Sequence, residues 1–218
     1  MKAALCKSLD GPQSLVIEKL PEPVLKPGQA LVNVKAVGLN FADTLITRGK
    51  YQFKPELPFA PGAEIAGVVE AVADRSSGVA PGQRVMAYVN WGGAAEKIAV
   101  DAQALIPVPD DVPLAVAAGL SVTYGTAMHG LRDRGRLSEG ETVVVTGAAG
   151  GAGQAAIEIA KLMNARVIAV ASSAEKCEIA IRAGADEAII FPGSDLKSEI
   201  RTRTAGNGVD VIYDCIGG

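Results

Sequence analysis

Glycines cluster between residues 147 and 153 of this 218-residue chain, at a spacing that could bind a phosphorylated ligand through the backbone. The glycines are Gly147, Gly150, Gly151 and Gly153, and the residues between them are Ala148, Ala149 and Ala152. Glycine lets a backbone approach a diphosphate closely, and a helix that follows directs its unpaired N–H groups and positive dipole end at the anion. We therefore predict that residues 147–153 bind the pyrophosphate of a dinucleotide.

The spacing Gly147-x-x-Gly150-x-x-Gly153 differs from the common G-x-G-x-x-G, and glycine also marks ordinary turns. A purely structural turn is therefore the alternative. The flanking sequence favours the dinucleotide interpretation, because the valine run at 143–145 is typical of a buried parallel strand. Residues 151–163 then have the pattern of a helix, so strand, loop and helix agree.

A second polar group, Ser172, Ser173 and Lys176, follows the apolar run 166–171. An acid at this place binds the ribose 2′-hydroxyl of NAD and repels the 2′-phosphate of NADP. The first carboxylate here, Glu175, lies inside the next predicted helix, so two hydroxyls and an ammonium indicate NADP(H) in preference to NAD(H). A compatible alternative is that Ser172 and Glu175 form a helix capping box and that Lys176 is a solvated surface charge.

Candidate catalytic residues lie in the first half of the chain: Asn40, Asp43 and Tyr51. Nicotinamide chemistry without a metal needs hydrogen-bond donors that polarise the acceptor and a group that supplies a proton. A phenol suits proton donation, because its reference pKa of about 10 keeps it protonated at neutral pH. Each residue also has a structural alternative: Asn40 as a helix cap, Asp43 as a first-turn acid, and Tyr51 as a half-buried aromatic.

The first half of the chain carries short β-rich runs that turns interrupt. The runs are Lys2 to Cys6, Leu15 to Leu20, Ala30 to Val37, Ile65 to Ala73, Arg84 to Val89 and Glu96 to Val100. Frequent prolines and Pro-Gly pairs separate them, which favours a small irregular barrel over a parallel sheet. One short helix is predicted from Phe41 to Arg48.

The second half alternates strand and helix. After the glycine-rich loop come apolar runs at 166–171, 188–190 and 209–213, with helices predicted near 174–183 and 196–204. This order predicts a doubly wound parallel α/β sheet, joined to the barrel by a helical bridge from Leu114 to about Arg134. We therefore predict two domains, residues 1–113 and 114–218.

Composition argues against several other classes of protein. The chain has 21 basic and 24 acidic residues and a net charge of −3, which argues against nucleic-acid binding. It has no apolar stretch long enough to span a bilayer and no signal-peptide core, so we expect a cytoplasmic protein. Three scattered cysteines and one histidine, His129, argue against a metal site of any usual form.

Four segments together resemble the zinc-independent quinone oxidoreductase branch of the medium-chain dehydrogenase/reductase superfamily. They are the segments 38–69 (GLNFADTLITRGKYQFKPELPFAPGAEIAGVV), 82–100 (GQRVMAYVNWGGAAEKIAV), 117–131 (AAGLSVTYGTAMHGL) and 147–153 (GAAGGAG). The resemblance covers the whole chain and implies a GroES-like catalytic domain followed by a Rossmann domain. In the superfamily's zinc alcohol dehydrogenases a cysteine stands at the place of Asn40 and a histidine at the place of Ala63, so the zinc ligands are missing here.

The resemblance also implies roles for individual residues. It places Asn40 and Tyr51 beside the nicotinamide and the substrate, and the tyrosine that matches Tyr51 is the favoured proton donor in related enoyl thioester reductases. Thr123 resembles residues that line the nicotinamide pocket, with a packed helix–helix contact as the structural alternative. Gly217 matches the glycine at the tip of the strand that runs under the ring. One departure is Phe191, where some quinone reductases have a tyrosine that helps to hold the 2′-phosphate.

The predicted function is NADPH-dependent hydride transfer to a quinone or another conjugated carbonyl. The alternatives are an enoyl thioester reductase and a non-catalytic nucleotide-binding protein or fragment. The sheet stops after its fourth predicted strand, although the family's sheet has six, so we expect a truncated form in which activity is doubtful. For the full-length form the resemblance implies a homodimer.

Overall fold

The computed structural model describes residues 1–74, 78–193 and 195–217. Gly218, the last residue of the motif that ends the sequence, therefore lies outside the described residues. The chain divides into two compact units, Met1–Val122 and Thr123–Gly218.

The first unit is built on an antiparallel sheet. Its elements are β1 (Lys2–Leu5), β2 (Val16–Lys19), β3 (Gln29–Gly38), α1 (Phe41–Ile46), β4 (Glu64–Val72), β5 (Arg84–Tyr88), β6 (Lys97–Asp101), β7 (Ile106–Pro107) and α2 (Leu114–Ala117), with 3₁₀ turns at Pro12–Ser14 and Ala102–Ala104. Five strands pair in the order β6-β3-β4-β5-β7, and β1 pairs with β2. All six predicted strands are confirmed, with ends that differ by at most one residue.

Alternation of side chains explains how this sheet encloses a core. On β3, Ala30 and Val32 are fully buried, and on β5 Val85 and Ala87 are fully buried, so every second residue points inward. Ile65 of β4 packs in the same cluster. Burying a valine or isoleucine side chain of this kind contributes about 1.5–3 kcal/mol, which stabilises the sheet whose strand β4 begins at Glu64.

The second unit is a parallel sheet with helices on both faces. Its elements are α3 (Thr123–Met128), a π-helical turn (His129–Arg134), β8 (Thr142–Thr146), α4 (Gly151–Leu162), β9 (Arg166–Ala171), α5 (Ala174–Arg182), β10 (Glu187–Ile190), α6 (Leu196–Arg203) and β11 (Val211–Tyr213). The strand order is β10-β9-β8-β11, and all the pairs are parallel. The predicted doubly wound α/β sheet is confirmed.

Both faces of this sheet are covered. Val143 and Val145 lie in a buried cluster with α4, whereas Val144, between them, packs in a second cluster with Ile168 and Ile189. A strand that is buried on both sides needs a continuous apolar run, which is why the sequence has three successive valines here. The loop after β8 is therefore anchored by a rigid strand.

The boundary between the units lies later than the predicted one at residue 113. Helix α2 belongs to the first unit because it packs on β3, β4 and β5, with Ala117 and Ala118 buried beside Ala66. The predicted helical bridge from Leu114 to about Arg134 is not one continuous helix: α2 ends at Ala117, and α3 begins at Thr123. The segment divides because α2 packs on the antiparallel sheet of the first unit, whereas α3 belongs to the second unit.

Candidate functional site

A tight backbone turn connects β8 to α4. Gly147 adopts a φ of +59°, and its carbonyl oxygen accepts a hydrogen bond of 2.9 Å from the N–H of Gly150. A Cβ at Gly147 would lie 2.8 Å from Ile216 Cδ1, so both the conformation and the space favour glycine. This turn, residues 147–150, is called the glycine turn below.

Gly153 has a different purpose from the glycines of the turn. A Cβ on Gly153 would overlap the carbonyl oxygen of Gly147 and lie 2.7 Å from Ala148 Cα. Gly153 therefore lets α4 pack closely against the glycine turn. Gly151 is not crowded in this way, because its Cβ would meet Thr123 Cγ2 at an ordinary 3.8 Å.

The first turn of α4 is open to an anion. The N-cap residue is Gly150, which has no side chain to cap the helix. The N–H groups of the first helical residues, Gly151, Ala152 and Gly153, have no acceptor within a helix at these positions. They and the positive end of the helix dipole therefore form an anion-binding element.

Two further contacts hold the glycine turn in place. The N–H of Ala148 donates to the carbonyl oxygen of Val170 at 3.2 Å, and Ala148 is fully buried. The side-chain amide of Gln154 donates to the carbonyl oxygen of Ala149 at 2.9 Å. Sequence reasoning missed Gln154, although its place in the first turn of a helix after a glycine-rich loop was a usable signal.

A cavity of about 670 Å³ opens beside the glycine turn, at the carboxyl ends of the parallel strands. It is called the strand-end cavity below. Its lining residues are Thr146, Gly147, Ala149, Gly150, Val170, Ala171, Ser172, Lys176, Ile179, Phe191, Pro192, Leu196, Asp214, Ile216 and Gly217. The volume suits a ligand of cofactor size.

The cavity brings together only some of the residues predicted to bind the cofactor. Those that line it are Gly147, Ala149, Gly150, Ser172, Lys176 and Gly217. Those that are not part of its lining are Thr123, Ala148, Gly151, Ala152, Gly153 and Ser173. The apolar lining residues after β9 and β10, such as Phe191, were not predicted as site residues, although their positions at strand ends could have indicated them.

The tip of β9 places a hydroxyl and an ammonium side by side in the cavity lining. Lys176 Nζ donates to Ser172 Oγ at 2.9 Å. Ser173 is the N-cap of α5, and its Oγ accepts from the N–H of Lys176 at 3.3 Å. The suggested capping box of Ser172 and Glu175 is therefore wrong by one residue, because Ser173 takes the extended N-cap conformation.

The turn after β11 is tied to the end of β8 by Asp214. Its Oδ1 accepts hydrogen bonds from Thr146 Oγ1, from the N–H of Ile216 at 3.0 Å and from the N–H of Gly217 at 3.3 Å. Hydrogen bonding to Thr146 and to these two N–H groups holds the pKa of Asp214 below its usual range. Sequence reasoning missed Asp214, because nothing local indicates its bond to Thr146.

In the first unit, the predicted catalytic residues Asn40 and Asp43 belong to a hydrogen-bonded network. Asp43 Oδ2 accepts from the N–H of Asn40 and Oδ1 accepts from the N–H of Gly62, both at 2.8 Å. The Asn40 side-chain amide donates to Glu64 Oε1 at 2.9 Å. Asp43 therefore fixes the start of α1, and Asn40 is oriented by Glu64.

Glu64 is a buried carboxylate, with only 2% of its surface exposed. Its Oε2 accepts from the N–H of Val122 at 2.8 Å, so that both oxygens have partners. A Cβ at Gly38 would meet Glu64 Oε1 at 2.5 Å, so glycine makes room for this side chain. Removing one partner of a buried polar group costs about 1–3 kcal/mol, which makes Glu64 a positioning residue.

Two phenols complete this group of side chains. Tyr51 is partly buried against a cluster that contains Ile46 and Phe59, and its ring lies 6.0 Å from that of Phe53. Burial raises the pKa of Tyr88, and the nearby Tyr51, Asp43 and Glu64 raise it further. We define the donor cluster as Asn40, Asp43, Tyr51, Glu64 and Tyr88.

The donor set in the described residues does not fit a metal ion. No group of three or more His, Cys, Asp or Glu side chains is placed to hold one in residues 1–74, 78–193 and 195–217. Asn40 donates its amide to Glu64, and Ala63 has no ligating atom. In a separate finding, no helix in the described part of the chain is both long and apolar enough to cross a membrane.

Two family descriptions match parts of the chain. Residues 26–110 match the alcohol dehydrogenase GroES-like domain, and residues 151–218 match the family described as zinc-binding dehydrogenase. The first match contains the donor cluster, and the second contains α4 and most of the strand-end cavity.

Individual relatives agree with these matches. Quinone oxidoreductase-like protein 2 of Bos taurus is 40% identical over 218 residues, which are 100% of this chain and 62% of the relative. A probable oxidoreductase of Mycobacterium abscessus superposes with a TM-score of 0.94 at 43% identity, covering 100% of this chain and 70% of that one. The quinone oxidoreductase of Thermus thermophilus, solved also in complex with NADPH, has a TM-score of 0.85 and 38% identity, covering 100% and 68%.

Proposed function

The chain belongs to the quinone oxidoreductase branch of the medium-chain dehydrogenase/reductase superfamily, and we propose that it acts in NADPH-dependent hydride transfer to a quinone or another conjugated carbonyl. It spans 62% of the length of the first curated relatives that it matches. The activity, substrates and partners proposed here are therefore those of the whole protein.

One observation carries the proposal: the lining of the strand-end cavity contains both Gly150, the N-cap residue of α4, and the hydrogen-bonded pair of Ser172 and Lys176 after β9. The N–H groups at the start of α4 suit a pyrophosphate. Ser172 and Lys176, already joined by a hydrogen bond, suit the 2′-phosphate that distinguishes NADPH from NADH. An apolar wall that includes Ile179 and Phe191 suits the adenine ring.

The glycine turn fits such a cofactor. Gly150, the N-cap of α4, has no side chain that could cap the helix N–H groups, and Gly147 has no room for a Cβ. Thr146 and Gly217, also in the cavity lining, leave the ends of β8 and β11 open to the rest of the ligand. When bound, the reduced nicotinamide supplies a hydride to the acceptor.

The donor cluster supplies the acceptor-binding groups in this proposal. Tyr51 donates a proton after hydride transfer, because a phenol is protonated at neutral pH and acidic enough to neutralise an enolate. Asn40 orients the acceptor by hydrogen bonding, while Asp43 and Glu64 act as positioning residues through Asn40. The reaction proceeds without zinc, because Asn40 and Ala63 offer no ligand set for it.

An enoyl thioester is the second acceptor class. Reduction of a thioester generates a basic enolate that needs a proton donor, whereas a hydroquinone anion can take its proton from water. Tyr51 in the donor cluster favours the thioester, and the relatives' names favour the quinone. A cytoplasmic location and a homodimeric full-length form remain predictions from the sequence.

Titration with NADPH tests the proposal. We expect saturable binding of NADPH to the 218-residue chain, tighter than that of NADH, followed by fluorescence or calorimetry. Competition by adenosine 2′,5′-bisphosphate checks that the 2′-phosphate is recognised. Absence of NADPH binding, together with absence of turnover by the full-length protein on quinones, enones and enoyl thioesters, would support a non-catalytic protein instead.

A further inference from the structure

Among the described residues that line the strand-end cavity, two are charged, and they have opposite signs. Lys176 lies on α5, directly after β9, and Asp214 follows β11. In the sheet, β8 and its glycine turn lie between β9 and β11. The cavity is therefore positive on one side of the glycine turn and negative on the other.

Asp214 is held in a defined orientation. In the described part of the chain, its three hydrogen-bond donors all go to Oδ1, and none goes to Oδ2. Thr146 Oγ1, one of these donors, itself accepts from the N–H of Cys215 at 3.1 Å. This network fixes the carboxylate and leaves Oδ2 without a hydrogen bond from any residue that the structure describes.

The orientation of a bound dinucleotide follows from the sheet order and rests on the function proposed above. The pyrophosphate lies at α4, after β8, and the 2′-phosphate of the adenosine half lies with Ser172 and Lys176, after β9. The nicotinamide half must then extend to the opposite side, towards β11. Asp214 lies at that end.

We propose that the Asp214 carboxylate makes the cavity favour the oxidised cofactor relative to the reduced one. The acceptor's electron-poor carbon takes a hydride, one proton with two electrons, and the nicotinamide ring that gave it is left with one positive charge. A fixed negative charge at this end stabilises that cation and has little effect on the neutral reduced ring. Asp214 would thus assist hydride donation through its negative charge.

The state of the neighbouring groups supports a lasting negative charge. Hydrogen bonds hold the pKa of Asp214 below its usual range, so the carboxylate is ionised at neutral pH. Burial, with a contribution from Asp214, raises the pKa of the Cys215 thiol, so that group stays neutral. Lys176, on the β9 side, is the positive group of the cavity lining and already bonds to Ser172.

The test compares dissociation constants of NADP⁺ and NADPH for the 218-residue chain and for Asp214→Asn. Asparagine keeps an oxygen for Thr146 and the two N–H groups but removes the charge. We expect Asp214→Asn to weaken NADP⁺ binding about three- to tenfold more than NADPH binding. Binding of adenosine 2′,5′-bisphosphate, which has no nicotinamide, should change by less than about twofold.

A matched control is Asp210→Asn, which removes an equal charge from the opposite end of the same strand; Asp210 accepts from the N–H of Thr142. Its NADP⁺ to NADPH affinity ratio should equal that of the unchanged chain. Circular dichroism checks that both variants are folded. If Asp214→Asn does not fold, the test is the salt dependence of the NADP⁺ to NADPH affinity ratio in the unchanged chain. Added salt screens the carboxylate and should weaken the preference for NADP⁺.

The outcomes separate this inference from the proposed function. Equal loss of NADP⁺ and NADPH affinity in Asp214→Asn would overturn the electrostatic role and leave the cofactor site intact. A salt-independent ratio would do the same. Failure of the unchanged chain to bind either form would overturn the proposed function, and this inference with it.

Discussion

The strand-end cavity and the donor cluster are built from different parts of the polypeptide. The cavity depends on backbone: a glycine turn, an uncapped helix start and strand ends, with Lys176 and Asp214 as its charged lining residues. The donor cluster depends on side chains, and both of its carboxylates, Asp43 and Glu64, are saturated by internal hydrogen bonds.

Within the donor cluster, the hydrogen-bonded carboxylates differ from the two tyrosine hydroxyls in the role that they can have. A carboxylate whose two oxygens both accept hydrogen bonds from the protein orients the groups around it. Removing Asp43 or Glu64 should therefore misplace Asn40. Neither Tyr51 nor Tyr88 has a hydroxyl hydrogen bond to another described residue, so both hydroxyls are available for the substrate contact proposed above. In the cavity, by contrast, the atoms proposed to bind the pyrophosphate are backbone N–H groups at the start of α4.

The largest effect is expected for Tyr51, the proposed proton donor of the donor cluster. If the donor cluster supplies the proton, Tyr51→Phe should lower full-length turnover on an enoyl thioester about 10²- to 10⁴-fold and affect a quinone much less. Steady-state kinetics with both acceptors and a constant NADPH concentration measures this. Tyr88→Phe removes the other phenol of the cluster and is the matched comparison; an equal loss there would contradict the assignment to Tyr51.

The close packing of α4 against the glycine turn predicts that the glycines at the start of α4 are not equivalent. Gly153→Ala should lower the free energy of unfolding by about 1–3 kcal/mol, because its Cβ would overlap the Gly147 carbonyl. Gly151→Ala has an ordinary contact and should leave stability unchanged or raise it by up to about 1 kcal/mol. Urea denaturation distinguishes them, and similar values for the two variants would refute the close packing of α4.

The charged strand tip predicts a smaller effect, confined to cofactor choice. Lys176→Met should weaken NADPH binding about tenfold and leave NADH binding nearly unchanged, since only NADPH carries the 2′-phosphate. Arg182→Met, in the last turn of the same helix, removes an equal charge and serves as the control. Equal weakening of both cofactors by Lys176→Met would show that the ammonium does not select the 2′-phosphate.

The smallest effect concerns the two serines at that tip. Ser173→Ala removes the N-cap of α5 and should lower the free energy of unfolding by about 0.5–1 kcal/mol. Ser172→Ala should change stability by less than about 0.5 kcal/mol but weaken NADPH binding slightly, because Ser172 holds Lys176. Thermal unfolding with and without NADPH measures both; the reverse pattern would restore the capping box of Ser172 and Glu175.

Sequence periodicity predicted the elements well and their junctions less well. The valine run before the glycine turn and the alternating strands of the first unit were read correctly, since each pattern is a local response to burial on one or two faces. The segment from Leu114 to Arg134 was predicted as a helical bridge, but it divides where α2 packs on the antiparallel sheet. The packing of α2 in the first unit and of α3 in the second depends on residues far away in the sequence, so periodicity alone does not predict where the segment divides.

By itself the sequence determined the glycine turn, the alternation of strand and helix, and the presence of Asn40, Asp43 and Tyr51 without zinc ligands. Tertiary structure decided which groups meet: Asp214 with Thr146, 68 residues earlier, and Asn40 with Glu64, 24 residues later. A turn or a helix start depends on neighbouring residues, so its atoms can be inferred from spacing. A hydrogen bond between distant strand ends depends on how the whole sheet is ordered, and spacing does not contain that information.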